Sequence, residues 1–364
     1  MAQAGAVHDP ATVRPSDRAG RSPSVLFVYP FDATFIQADL QLLRTFCRVA
    51  PLLFDEWSRC GTFFRLLRSA DIVFCWFALP FSAVASVAAK LSGRRAIIVS
   101  GGWDVTGMPE IGYGRLLKVR GTVFARIALL AADAVLSFSD SSAVAVRSVA
   151  PNCAVQRVYL GVDPSCFRPE EKEELVVSAA NVTRENVVRK GLRTFVQAAR
   201  EVPEAQFVLA GNHVDSAVED LRAIAPANVS FPGWLPDDEL RRLLGRAKVY
   251  VQASYTEGFG VAVAEAMASG CVPVVTRRGA LPELVGDAGL YVEYGDGASL
   301  ANAVRVGLRS DLGPRARTRI MERFTLGHRL QALRDVVYGF CQEGDQTSEG
   351  ASFDSPSAGM GHGP

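Results

Sequence analysis

The chain has 364 residues, 49% of them apolar and 21% charged, with 39 basic residues against 38 acidic ones. A net charge of +1 excludes the strongly basic footprint of a nucleic-acid binder, and the length makes two domains with substantial cores the default expectation. Seven cysteines, at 47, 60, 75, 153, 166, 271 and 341, show neither metal nor redox spacing, which points to a reduced, cytoplasmic setting.

In chain order, residues 1–22 read as a tail lacking the apolar segment of a signal peptide. Short apolar runs then alternate with helical periodicity. Strands are expected at 25–29, 51–54, 72–76, 96–100 and 134–138, with helices at 35–49 and 81–91 between them. A stretch with two prolines and little periodicity, 158–169, breaks the pattern. The alternation restarts with strands at 175–179, 206–210, 249–253 and 272–275. This βα repetition predicts an α/β protein with two doubly wound, parallel-sheet, Rossmann-like domains, their strand ends facing across a cleft. The expected divisions are a first domain over 23–160, a linker over 161–170 and a second domain over 171–325. A final helix over 326–341 is expected to pack back on the first domain, and 342–364 reads as a second tail. No apolar run reaches the length of a membrane span.

The segment 249–289 is the most informative. An apolar run ends in a polar turn, and Gly258-Phe259-Gly260 then opens a helical pattern that stops at Gly270. A strand, a glycine turn and a helix start present backbone N–H groups and the positive end of a helix dipole to an anion. Glu257 and Glu265, eight positions apart, flank that turn. A carboxylate beside a bare phosphate would be repelled, but it suits hydroxyls attached to that phosphate, those of a ribose or a sugar. Glu265 lies among Ala264, Ala266 and Ala268, where an unpaired charge is costly without a function. Arg184 and Lys190, six apart after the first strand of the second domain, are placed to neutralise a diphosphate without a metal.

Gly161-Val162-Asp163, Phe167-Arg168-Pro169, Arg184, Lys190-Gly191, Glu257 to Gly260 and Glu265 together resemble the retaining, nucleotide-sugar-dependent glycosyltransferases of GT-B fold, the GT4 or group 1 type. The resemblance covers roughly residues 96–300 and is strongest in the second half. It implies that Arg184 and Lys190 stabilise a leaving diphosphate and that Glu265 holds the ribose diol. Glu257 would contact the transferred sugar, and the backbone of Gly258, Phe259 and Gly260 would face the phosphate or sugar. It further implies that Gly211 borders the nucleotide and that the loop at Trp234 borders the base. The donor would be a nucleoside-diphosphate sugar, with no metal or other cofactor.

The acceptor belongs in the first domain, as a saccharide, a lipid-linked group or a small molecule. There the family often carries a histidine, whereas this chain has Trp103-Asp104, which leaves Asp104 as a candidate base, as a group that stabilises sugar or acceptor, or as a helix-capping or turn aspartate. The turn after the first strand also lacks the family's double glycine. Arg115, Lys118, Arg120 and Arg126 alternate with apolar residues over 115–130, a pattern compatible with a helix lying on an anionic membrane or with an ordinary domain helix. The second domain lacks a Gly-X-Gly-X-X-Gly fingerprint, which speaks against dinucleotide redox chemistry. A non-catalytic sugar-nucleotide binder and a sugar-nucleotide epimerase or phosphorylase of the same architecture stay open as alternatives.

Overall fold

A computed structural model describes residues 22–349, with side chains to residue 340. Twelve strands form two six-stranded sheets, and every pairing within them is parallel. The first contains β1 (Ser24–Tyr29), β2 (Arg48–Leu53), β3 (Ile72–Trp76), β4 (Arg95–Ser100), β5 (Ala134–Ser137) and β6 (Val155–Arg157), in the order β2-β1-β3-β4-β5-β6. The second contains β7 (Glu173–Ala179), β8 (Gln206–Ala210), β9 (Val229–Gly233), β10 (Ala247–Gln252), β11 (Val272–Thr276) and β12 (Leu290–Val292), in the order β12-β11-β10-β7-β8-β9. This is the GT-B architecture. In each sheet the order reverses beside its first strand, and a parallel sheet binds its ligand at the carboxyl edge near such a reversal.

Sequence patterning explains the central strands. Ile72–Trp76 and Val272–Thr276 are buried along their whole length, as expected of parallel strands covered on both faces. The edges were less visible. The helix expected over 35–49 is Thr34–Arg44, and Arg48–Leu53 is extended instead. Pro51 accounts for this: it cannot sit in a helix interior and it biases Ala50 towards extended backbone, but an edge strand tolerates it. The strand expected over 51–54 is present but starts earlier, at Arg48, whereas β6, β9 and β12, of three to five residues, were missed.

The chain passes between the domains twice, and the two passages touch. Val162 N–H donates to Phe324 O, and Leu326 N–H donates back to Val162 O. The helix Leu326–Glu349 then lies against the helix Thr34–Arg44 of the first domain. Arg329 reaches Asp39 there through two bonds, of 2.9 and 2.7 Å, and donates to Val158 O at 2.7 Å. Both side chains are almost fully buried. This helix continues to Glu349, eight residues into the stretch expected as a tail. The rest of that stretch, and all of the first expected tail but residue 22, lies outside the described residues.

Among the described residues Cys60, Cys75, Cys153, Cys166 and Cys271 are free thiols, and no helix is long and apolar enough to cross a membrane. The basic stretch expected as one helix over 115–130 is divided: Arg115–Leu117 is a tight turn, and the helix proper is Val119–Ala131. Gly121, Ala125, Ala128 and Leu129 face inward, while Val119, Val123, Ile127 and Leu130 are exposed beside Arg120 and Arg126.

Candidate active site

The helix Val261–Ala268 starts directly after Gly260, whose φ of +96° lies in the left-handed region that favours glycine. That turn lets the helix head point up at the cleft, with its first N–H groups free for an anion. Gly258 packs closely against the first domain. A methyl group on it would lie 2.6 Å from the carbonyl oxygen of Gly101 in the first domain. The Gly258 carbonyl oxygen accepts from Ser139 Oγ at 2.9 Å, while Ser142 Oγ donates to Gly101 O at 2.5 Å. Phe259 turns inward and is buried, with its ring packed near Tyr159 and Phe324. Of this residue only the backbone faces the turn.

Glu257 sits at the end of a buried polar chain. Its Oε1 accepts from Gln252 Nε2 at 3.0 Å and from Ser254 Oγ at 2.9 Å, and Gln252 in turn accepts from Tyr250 at 3.2 Å. Lys190 Nζ lies 3.4 Å from the same oxygen, and Arg189 Nη1 lies 3.7 Å from it. Burial alone would raise the Glu257 carboxyl, but Lys190 and Arg189, with the Ser254 hydrogen bond, outweigh it and hold the group below its usual range. Burial also lowers the Lys190 ammonium despite the attraction of Glu257.

Glu265, on the face of the same helix, has no hydrogen bond or ion pair among the described residues. Burial, with a smaller contribution from Asp237, pushes its carboxyl up to about 7, against the pull of Arg241. An unpaired, half-buried carboxylate facing a cleft is a group waiting for donors, and the two hydroxyls of a diol supply two.

The remaining expected residues divide. Gly211 follows β8, and its N–H donates to Gly233 O, which places it beside the loop that carries Trp234. Trp234 itself is 63% exposed, so it stands at the rim and is not a packing residue. Arg184 was expected on a loop but heads a short helix, Arg184–Arg189, capped by Thr183. Its guanidinium bonds Ser216 at 3.0 Å, apart from the Lys190–Glu257 pair. Arg189, overlooked in the sequence, takes the place beside Glu257 and stacks its guanidinium over the Tyr113 ring, 5.0 Å from the centroid. Tyr113 thereby brings the first domain to this cluster, and burial pushes its hydroxyl up to about 12. Arg278 was missed as well; it lies over the rings of Tyr255 and Tyr294, and the Tyr255 hydroxyl donates to Glu110 across the cleft at 2.7 Å.

Asp104 requires a correction. It is fully buried, and its oxygens accept from Ala78 N–H at 2.8 Å, Ser100 Oγ at 2.6 Å and Gly102 N–H at 3.2 Å. A carboxylate so occupied ties its own turn after β4 to the turn after β3 and has no oxygen free for an acceptor. The sequence around it gave no sign that the turn after β3 would close on it.

Comparisons with known proteins agree with this geometry. Residues 173–310, which contain Arg184, Lys190, Glu257 and Glu265, match the family model described as "Glycosyl transferases group 1". Over these residues the second domain is similar to the group 1 glycosyltransferases. It is 28% identical to a lipopolysaccharide core biosynthesis mannosyltransferase of Rhizobium leguminosarum over 65% of this chain and 68% of that one. It is 26% identical to the N-acetyl-alpha-D-glucosaminyl L-malate synthase of Bacillus anthracis, over 70% and 71% of the two chains. In three dimensions this chain resembles Anabaena Alr3699/HepE, solved with UDP, at a TM-score of 0.73 and 15% identity over 87% of this chain and 100% of the other. A sucrose-phosphate synthase from Thermosynechococcus elongatus aligns at 0.70 and 17% identity, over 88% and 100%. At such identities these structures establish the shared fold.

Proposed function

We propose that this protein is a glycosyltransferase that moves a sugar from a nucleoside-diphosphate sugar to an acceptor hydroxyl with retention of anomeric configuration and without a metal. The observation that carries the reading is the Lys190–Glu257 pair, 3.4 Å apart beside the helix head at Gly260, with the unpaired Glu265 on the same helix. Cation, anion-binding helix head and two carboxylates together suit a charged diphosphate that carries hydroxylated rings on both sides.

In this reading the diphosphate lies over the first turn of Val261–Ala268. Lys190 and Arg184 meet it from the other loop, Arg184 by leaving Ser216. Glu265 accepts from the ribose diol, and Glu257, kept ionised by Lys190 and Arg189, accepts from the donor sugar. As the bond from the anomeric carbon to the diphosphate oxygen breaks, the electron pair leaves with that oxygen, and the cations and helix head stabilise the growing charge. The departing oxygen takes the proton of the acceptor hydroxyl, whose oxygen bonds to the anomeric carbon from the same face. Asp104, saturated within its turn, is not needed as a base.

UDP-sugars are the first donors to test, because a protein of the same fold was solved with UDP-glucose. The decisive experiment is slow hydrolysis of UDP-glucose followed by proton NMR, in which the α-anomer of glucose must appear first. Initial β-glucose rejects retention, and absence of nucleotide binding and hydrolysis across UDP-, GDP- and ADP-sugars rejects the reading.

A further inference from the structure

A recess of about 190 Å³ opens in the first domain at the carboxyl ends of its strands. Its wall is made of Phe54 and Trp57 after β2, Leu79 and Phe81 after β3, and Arg115 from beyond β4. Phe54 stacks on Phe81 with centroids 5.2 Å apart, and Trp57 meets Phe54 edge-on at 5.6 Å while staying 55% exposed. Asp55 and Glu56 line the same mouth. An aromatic floor that leaves a Trp face open, rimmed by carboxylates, is the composition that fits a ring apolar on its face and hydroxylated at its edge.

Two further observations point to a ligand. Arg115 Nε is shielded from solvent and has no hydrogen-bond partner, although the guanidinium lies 5.5 Å over the Trp103 ring. A buried, unsatisfied donor costs free energy unless something completes it. The wall itself is held under strain. Phe77, just before Leu79, has φ +69°, the only positive φ at a non-glycine position among the described residues. A bulky residue in that region costs on the order of 1–3 kcal/mol, and such strain persists where surrounding structure enforces it. Here the enforcers are Asp104, which accepts from Ala78 N–H, and Ser82, whose hydroxyl donates to Phe77 O.

Building on the glycosyltransferase reading above, we propose that this recess seats the terminal pyranose of a saccharide acceptor, its C–H face on Trp57 and its ring oxygens or hydroxyls on Arg115, Asp55 and Glu56. Trp103, against Arg115, follows Gly101 and Gly102, the turn that meets Gly258. The recess therefore borders the loop that reaches the donor side. The acceptor class named is a glycan end, recognised through its sugar and not through an attached lipid.

The test uses the full chain with UDP and octyl glucoside, octyl mannoside and octyl galactoside, followed by saturation-transfer NMR. The expected result is saturation of ring protons for at least one glycoside. Trp57→Ala should weaken its binding about tenfold, as loss of one aromatic contact implies, with Trp57→Phe recovering part of it. Arg115→Ala should weaken it by a similar factor. Saturation confined to the octyl chain, ring signals unchanged in both alanine variants, or no ring signal from any glycoside overturns the proposal. UDP affinity measured in the same samples separates the two readings. Intact UDP binding with no ring contact rejects the acceptor seat alone, whereas loss of UDP binding in the wild-type chain rejects the function beneath it.

Discussion

Lys190 and Glu257 form an ion pair, 3.4 Å apart, that joins two loops of the second domain at the floor of the cleft. Burial weakens the ammonium's hold on its proton, and the neighbouring cations keep the carboxylate ionised. The pair is thus poised for an incoming anion, which can engage Lys190 while Arg189 stays with Glu257.

Replacement of Lys190 by alanine is expected to lower kcat by about 100- to 1000-fold, the usual effect of removing one group that stabilises developing negative charge. The KM for donor should change far less. Steady-state kinetics check this, and a wild-type kcat would remove Lys190 from the leaving-group role.

Nucleotide binding should release protons. The Glu265 carboxyl stands at about 7, so near that pH a fraction is protonated, and hydrogen bonds from a ribose diol favour the ionised form. Calorimetry of UDP binding at about pH 6.5, in buffers of different ionisation enthalpy, should show net release that disappears in Glu265→Gln. Stability follows with a definite sign. The folded value lies above the usual 4.5, so Glu265 favours the folded state least at high pH. The Tm of Glu265→Gln relative to wild type should therefore rise between about pH 5 and pH 8, and a constant difference would contradict this.

Gly258→Ala should separate catalysis from stability. The added methyl meets Gly101 of the other domain, while Gly258 itself has no left-handed φ that alanine would strain. A shift of about 1 Å in the approach of the domains is expected to cost about 100-fold in transfer, with Tm nearly unchanged. Equal losses of activity and stability would show that the contact supports folding instead.

Arg329→Ala leaves Asp39 buried without its partner, at an expected cost of about 3–5 kcal/mol in urea unfolding. The double replacement Asp39→Leu with Arg329→Met should restore much of it. If the single variant costs under about 1 kcal/mol, the clamp on the final helix has been assigned wrongly.

Much of the architecture was readable because parallel strands such as Ile72–Trp76 are short, wholly apolar runs between helical stretches. The carboxylate pair was equally visible, since Glu257 and Glu265 share one strand–turn–helix segment. Arg189 was hidden by its neighbour. Lys190 drew attention through its spacing, but only the turn of the short Thr183-capped helix brings Arg189 to the same Glu257 oxygen. Tyr113 and Asp104 were hidden for a different reason. Arg189 reaches Tyr113, and Ala78 reaches Asp104, from other loops, and no local pattern reports such contacts. Trp57 and Arg115 share this property, fifty-eight positions apart in sequence yet on one recess.

The pairing of Asp39 with Arg329 spans 290 positions. As the protein is made, the first sheet emerges while the helix that covers its Thr34–Arg44 face is still to be translated. Until then Asp39 has no cation in that interior. The first domain therefore reaches its final packing only after the chain has completed the second and crossed back beside Val162. A ribosome that stops anywhere in between releases a chain with both halves flawed, one truncated and the other uncovered.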